Sequence, residues 1–144
     1  MTSTQHEICV TSELANLANI GSFVSERARL SGMSEKQVFH VQMAVDEACT
    51  NAMVHAYQGD PEGEVRVCCY LEGNDFVVEV VDQGQVFDAS SVPEPDLGRP
   101  LEERDIGGLG LFFMRKLMDS VVFVAPHEGG NQVIMRKRIG GRLS

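Results

Sequence analysis

Apolar residues recur at helical spacing through the first half of the chain. Between residues 13 and 30 they return at every third or fourth position, which predicts a first helix that ends before Gly32. A second periodic run covers 35–57, and Ser34 with Gln37 predicts a capping box at its start. The apolar stripe of this run consists of Val38, Val41, Ala44, Val45, Ala48, Ala52 and Ala56. Both segments are therefore expected to form amphipathic helices that face a core.

Short apolar runs bounded by turn residues predict strands elsewhere. Five such runs lie at 6–10, 65–71, 76–81, 121–124 and 132–138. The turns at 72–75 and 128–131 join the last four runs into two hairpins. The apolar segment 107–118 begins with glycines and predicts a third helix between the hairpins.

The segment 82–106 has little periodicity, three prolines and several acids. It is too long for a plain connection, so we expect either a functional lid, at about 83–106, or a mobile loop. The predicted order is β-α-α-β-β-loop-α-β-β. Such an order favours an α/β (α+β) two-layer sandwich, with a mixed, mainly antiparallel sheet and three helices on one face. A length of 144 residues suits one domain over 1–144.

Composition and charge narrow the possible functions. The 12 Lys and Arg against 21 Asp and Glu give a net charge of −9, which disfavours nucleic acid and anionic membranes but does not exclude a nucleotide. Four cysteines, Cys9, Cys49, Cys68 and Cys69, match no zinc or redox spacing and are expected to be buried or half-buried thiols. The sequence has neither the pattern of a signal peptide nor an apolar run long enough to span a membrane. We therefore expect a soluble cytoplasmic protein.

Three groups of residues are candidates for chemistry. The first group lies on one face of the second helix and consists of Glu47, Asn51 and His55, at positions i, i+4 and i+8. A carboxylate can accept a proton and an amide oxygen can bind Mg²⁺, so this group suits a catalytic site. The alternative is that these polar side chains are simply solvated on the helix surface. The second group, Asp82 and Gly84, follows a strand that is predicted to be buried. An aspartate there can accept a hydrogen bond from the exocyclic amine of a ring, and a glycine lets the ring approach the backbone. The alternative is a simple turn at the end of the strand, in which Asp and Gly are common.

The third group is the glycine pair Gly108 and Gly110 at the start of the third helix. Free N–H groups at a helix start suit phosphate oxygens, although such glycines are equally explained by tight packing. A helix with a base and a metal ligand, an acceptor for adenine and a phosphate-binding helix start are the parts of a nucleotide site.

These residues carry a resemblance to a known family. The segment 47–57, EACTNAMVHAY, resembles the E-x-x-x-N-A-x-x-H-[AG]-Y box of the anti-sigma-factor serine kinases, a branch of the GHKL ATPase superfamily. The segment 82–88, DQGQVFD, is similar to the D-x-G-x-G-[FI]-D adenine box of that family. GLGL at 108–111, followed by LMD at 117–119, is similar to its phosphate box.

The resemblance implies a histidine-kinase-like ATPase fold that binds ATP and Mg²⁺ beneath a lid. By this resemblance Glu47 takes the proton of an attacking hydroxyl, and Asn51 holds Mg²⁺. Asp82 accepts from the adenine amine, and Gly84 admits the ring. The phosphates are contacted within the box Gly108, Leu109, Gly110 and Leu111, and Arg104 in the lid approaches the γ-phosphate. His55 and Tyr57 are assigned to structure at the helix end.

The chain departs from the family pattern at two places. Val86 replaces the second glycine of the adenine box, and Asn131 or Gln132 stands where relatives place a threonine near adenine. The first change either adds a Cβ close to the nucleotide or reshapes the entry of the lid.

The function implied is that of an ATP-binding anti-sigma factor with serine/threonine protein kinase activity. Such a protein sequesters a sigma factor and phosphorylates a serine of an anti-sigma-factor antagonist. The alternative, motivated by Val86, is a nucleotide-binding regulatory docking module with weak or lost kinase activity. The ATP-binding half of a histidine kinase is disfavoured, because no phosphoacceptor helical hairpin precedes the ATPase motifs. Relatives often pair as homodimers through the first strand and helix, but these residues equally suit the core, so the oligomeric state is open.

Overall fold

The first half of the protein contains the two predicted helices, of which the first ends and the second begins where the sequence predicts. The computed structural model describes residues 4–86, 108–126 and 129–140. Helix α1 spans Leu17–Leu30 after one 3-10 turn, and helix α2 spans Glu35–Asn51. The Ser34 side chain accepts a bond from the Gln37 N–H at 3.2 Å and the Gln37 side chain accepts one from the Ser34 N–H at 3.1 Å, so the predicted capping box is confirmed.

The end of α2 differs from the continuous helix predicted over 35–57. Beyond Asn51 the chain forms a π turn, Ala52–Ala56, in which the Tyr57 N–H donates to the Ala52 carbonyl at 2.9 Å. The Tyr57 hydroxyl also donates to the Glu64 carbonyl at 2.7 Å, which ties the helix end to the next strand. Because π turns hold one more residue than α turns, this change resets the direction of the residues that follow.

A single described sheet contains five strands in the order β1-β2-β3-β5-β4. The strands are β1 His6–Thr11, β2 Glu64–Glu72, β3 Asp75–Asp82, β4 Ser120–Val124 and β5 Asn131–Arg138, and helix α3, Gly108–Leu117, precedes β4. Every pairing among these strands is antiparallel. The described sheet is therefore fully antiparallel, whereas the sequence predicts a mixed, mainly antiparallel sheet. The first hairpin is tighter than expected, because Glu72 pairs with Asp75 and Gly73 takes a φ of 61° in the turn.

The core lies between one face of the sheet and the three helices. All seven residues of the predicted α2 stripe are buried there. Inward-facing strand residues such as Val67 and Met135 pack with Met114 of α3 in the same cluster. Alternation along the strands places these apolar side chains inward and their neighbours on the opposite face. The predicted element order and two-layer fold are therefore confirmed in the described residues.

The burial of the four cysteines is as predicted, with one correction. Cys49 and Cys69 are buried and Cys68 is half-buried, as predicted, and all four thiols are free. Cys9 is instead exposed, because it lies on the edge strand β1 opposite Arg66, on the face away from the core.

Within the described ranges, none of the helices has both the length and the apolar character needed to cross a membrane.

Replacing the helix cap should measurably destabilise the protein. Ser34→Ala removes the acceptor of the Gln37 N–H and should lower the free energy of unfolding by about 1 kcal/mol, the usual cost of losing such a cap. Urea denaturation followed by circular dichroism would measure the change. Ser22→Ala, at an exposed position inside α1, is the matched control and should have little effect. Equal effects of the two variants would contradict the role of the cap.

Candidate functional site

A cavity of about 250 Å³ opens between the end of α2 and the strands beneath it. Its helical wall consists of Ala48, Asn51, Ala52, His55 and Ala56, with Met114 from α3. Its strand and loop walls consist of Val80, Asp82, Gln85, Val86, Phe123, Asn131, Gln132 and Val133. The walls are mostly apolar with a few polar groups, which is the usual composition of a small-molecule site.

Asp82 is the buried carboxylate of this cavity, with 5% of its surface exposed. Its Oδ1 accepts bonds from the Gly84 N–H at 2.8 Å and from the Asn131 amide at 2.9 Å. Burial raises the pKa of Asp82, while these two hydrogen bonds act in the lowering direction. Within the described ranges Oδ2 has no hydrogen-bond donor, so a ligand in the cavity can be bound through this oxygen.

The segment that follows Asp82 is held against the end of α2. The Gln83 N–H donates to the Tyr57 hydroxyl at 2.7 Å, and the Gln85 N–H donates to the Ala56 carbonyl at 2.8 Å. A Cβ at Gly84 would lie 2.6 Å from the Ala56 carbonyl oxygen. Glycine is thus required here by the approach to the helix, and its expected contact with a nucleotide ring stays a prediction.

Of the three polar residues predicted on one face of α2, two line the cavity. Asn51 and His55 lie in its wall, whereas Glu47, one turn earlier, lines a separate groove between α1 and α2. A Cβ at Gly110, in the first turn of α3, would overlap the Glu47 carboxylate. The structure therefore places Glu47 directly against the start of α3.

The environment of Glu47 alters its acidity. Burial raises the pKa of this carboxyl, and the negative charge of the neighbouring Asp46 raises it further. A carboxylate with a raised pKa is a stronger base, so the position next to α3 suits a group that accepts a proton.

The remaining predicted residues fall in different places. Helix α3 begins at Gly108, so both Gly108 and Gly110 belong to its first turn. Leu111 is a core residue with 3% of its surface exposed, and its side chain therefore serves packing. The side chain of Leu109 lies outside the described residues, as do Arg104 and most of the predicted lid.

The family resemblance placed Asn131 or Gln132 near adenine, but the local sequence pattern missed how much the turn before β5 contributes to the site. Gly130 has a φ of 79°, and a Cβ there would overlap the Asp82 carbonyl oxygen. Its neighbour Asn131 bonds to Asp82 and also donates to the Gln85 carbonyl at 2.9 Å. The glycine pair before Asn131 predicted only a turn, because nothing local to it indicates the contact with a strand about 50 residues earlier.

Comparison with known proteins places this geometry in a family. A family model described as a histidine kinase-like ATPase domain matches residues 10–137. The serine-protein kinase RsbW of Listeria monocytogenes serovar 1/2a is 34% identical over 116 residues, which are 78% of this chain and 73% of that protein. The serine-protein kinase RsbW of Bacillus cereus is 34% identical over 116 residues, with 78% and 71% of the two chains covered.

Solved structures share the fold. The RsbU and RsbW domains of Rv1364c from Mycobacterium tuberculosis align with a TM-score of 0.69 and 17% identity over 95% of this chain, which spans 33% of that chain. The histidine kinase domain of the blue-light activated kinase from Erythrobacter litoralis EL346 aligns with a TM-score of 0.55 and 16% identity, covering 90% of this chain and 61% of that one. At these identities the alignments show the fold alone, and the predicted histidine-kinase-like fold is thereby confirmed.

Two adjacent glycines allow a matched test of the close approach between Gly130 and the backbone of Asp82. Gly129 and Gly130 have φ values of 90° and 79°, so alanine at either position carries the cost of a left-handed backbone, about 1–2 kcal/mol. Only at Gly130 would the new Cβ also overlap Asp82, since no atom of the described residues lies within 4 Å of the Cβ position at Gly129. Gly130→Ala should therefore lower the free energy of unfolding more than Gly129→Ala in parallel urea titrations. Equal losses would show that the close approach does not constrain the fold.

Proposed function

Because the chain belongs to the histidine kinase-like ATPase domain family, together with RsbW-type serine-protein kinases, we propose that it is an anti-sigma factor with ATP-dependent serine/threonine kinase activity. It sequesters a sigma factor and phosphorylates a serine of an antagonist protein. The observation that carries this proposal is the position of Glu47 against the first turn of α3. A proton acceptor thus lies next to a helix start, where phosphate oxygens are bound favourably.

The cavity provides the adenine end of the proposed site. Asp82 accepts the exocyclic amine through Oδ2, while its Oδ1 stays bonded to Gly84 and Asn131. The apolar walls, among them Val80 and Val133, contact the ring faces. Such an arrangement combines one specific polar contact with apolar packing, as nucleotide-base pockets usually do.

The phosphate end lies toward α3. The N–H groups of its first turn, at Gly108 and Gly110, are available to phosphate oxygens because the first N–H groups of a helix have no intrahelical partner. Asn51 in the cavity wall offers an amide oxygen to Mg²⁺, which commonly binds one or two protein oxygens besides substrate phosphates and water. The residues present therefore fit a magnesium ion that enters with ATP, where it would neutralise phosphate charge.

Glu47 and its groove define the side from which the accepting protein approaches. The carboxylate receives the proton of the serine hydroxyl as the oxygen attacks the γ-phosphorus and the bond to the bridging oxygen breaks, leaving ADP. Since Glu47 lines the groove between α1 and α2 and not the adenine cavity, the serine enters from the groove side. Phosphoryl transfer of this kind depends mainly on positioning and charge stabilisation.

The net charge is compatible with the proposed partner. A chain with a charge of −9 suits a protein that carries basic DNA-binding surfaces, as sigma factors do, and does not suit DNA itself. The alternative function, a nucleotide-binding docking module with weak or lost transfer, rests on Val86 at the rim of the cavity.

Replacing Glu47 should separate catalysis from binding. Glu47→Gln removes the proton acceptor and should reduce phosphate transfer to an antagonist protein by roughly 10²–10⁴-fold, the usual contribution of a general base. Transfer from labelled ATP, with calorimetric binding of Mg-ATP measured alongside, would test this. The folded protein should not lose stability at neutral pH, because a carboxyl whose pKa is raised on folding is destabilising when ionised.

The control for this variant is Glu62→Gln, at an exposed position beyond the π turn. It should transfer phosphate at the wild-type rate. ATP binding by the wild type without any transfer would favour the docking module, and absence of nucleotide binding would refute both proposals.

The pH dependence of transfer should reflect the surroundings of Glu47. Because the pKa of this carboxyl is raised, the rate should begin to fall, as pH decreases, at a higher pH than an ordinary Glu of pKa about 4.3 would give. Asp46→Asn removes the neighbouring negative charge and should shift this acid limb to lower pH. Rates measured across the acid range for the wild type, Asp46→Asn and Glu62→Gln would test it, and an acid limb unmoved by Asp46→Asn would contradict the assignment of Glu47 as the base.

A further inference from the structure

Among the contacts of Asn131, two hydrogen bonds connect separate parts of the proposed adenine site. Asn131 is the first residue of β5 and pairs directly with Asp82 of β3 in the sheet register. Its amide nitrogen donates to Asp82 Oδ1 and to the Gln85 carbonyl, both at 2.9 Å. One side chain thus bonds to the acceptor carboxylate and to the backbone of the cavity rim.

The first contact fixes the orientation of the carboxylate. Asp82 Oδ1 accepts hydrogen bonds from the Gly84 N–H and from the Asn131 amide. These two donors come from different parts of the chain. Rotation of the carboxylate about its bond to Cβ would break both hydrogen bonds, each of which involves a charged acceptor. Oδ2 is consequently the oxygen that stays available to the cavity.

The second contact fixes the rim. The Gln85 backbone is held by Asn131 through its carbonyl and by Ala56 through its N–H at 2.8 Å, while the Gln58 side chain bonds to the Gln85 side chain. Movement of the rim away from the helix would break the bond from the Gln85 N–H to the Ala56 carbonyl and displace the Asn131 amide, which also bonds to Asp82. The two contacts of Asn131 make carboxylate orientation and rim position depend on each other.

We propose that Asn131 is a positioning residue which, through Asp82, sets the preference of the cavity for a 6-aminopurine nucleotide over a purine that lacks the amine. This inference rests on the proposed function, in which the cavity binds adenine. Without the amide, Asp82 keeps, among the described residues, only the hydrogen bond from Gly84 and can turn Oδ2 away from the amine. The contribution is thus specific to ligands that carry the amine, whereas a residue that only supports the fold would affect all ligands equally.

The experiment compares two ligands on each variant by calorimetry in Mg²⁺. ATP carries the 6-amine, and purine riboside triphosphate is the same nucleotide without it. The wild type should prefer ATP. Asn131→Ala should lose about tenfold in ATP affinity, the effect of one hydrogen bond to a charged group, and little in affinity for the analogue, so the preference should shrink.

The matched control is Gln37→Ala, which removes an amide that donates to the Arg138 carbonyl at 2.9 Å, at the other end of the same strand. It should reduce stability and leave the ratio of the two affinities unchanged. If circular dichroism shows that Asn131→Ala is unfolded, Asn131→Ser, whose hydroxyl replaces at most one of the two donors, is compared in the same way.

The outcomes separate this inference from the proposed function. An unchanged affinity ratio in the folded Asn131 variant, with or without an equal loss for both ligands, would overturn the positioning role and leave ATP binding intact. A wild type that binds neither ligand, or binds both equally, would instead overturn the adenine site itself. A smaller ratio in the Asn131 variant alone supports the inference.

Discussion

The geometry of the site depends on how closely the end of α2 approaches the end of β3. The Gln85 N–H reaches the Ala56 carbonyl at 2.8 Å, and Gly84 lies so near Ala56 that a Cβ would not fit. This approach brings the polar residues of the helix and Asp82 to opposite walls of one cavity. The π turn contributes to it, since the Tyr57 hydroxyl is placed to accept the Gln83 N–H. A wider separation would open the cavity to water and weaken every polar contact in it.

The buried carboxylate of Asp82 and the half-buried carboxylate of Glu47 have different roles in the proposed chemistry because their surroundings differ. Burial raises the pKa of both Asp82 and Glu47. Asp82 has two donors on one oxygen, which favour its ionised form and fix its direction, as a recognition group requires. Glu47 has the like charge of Asp46 beside it, which further disfavours ionisation and makes the group a better proton acceptor. The same residue chemistry thus supports recognition at one end and proton transfer at the other.

Local sequence signals predicted the elements well, and contacts between distant segments explain what they missed. The capping box at Ser34, the buried stripe of α2 and the hairpin after β2 are set by residues within a few positions of one another, so their patterns are visible in the sequence. The π turn and the role of Asn131 depend instead on Tyr57 meeting β2 and on β5 meeting Asp82. The residues themselves and the family resemblance both grouped Glu47 and Asn51 with Asp82 in one nucleotide site. In the structure Asn51 and Asp82 line one cavity, whereas Glu47 lines a separate groove.

The valine that replaces a family glycine is accommodated by the backbone. Among the described residues Gln58 is the only non-glycine residue with a positive φ, so Val86 has a backbone conformation that any residue can adopt. Its side chain is 60% exposed at the cavity rim, and its Cβ therefore does not fill the interior. The preceding residue, Gln85, is held from both sides, by Ala56 and by Asn131. The substitution thus changes the entrance of the proposed nucleotide site and leaves its acceptor, Asp82, in place.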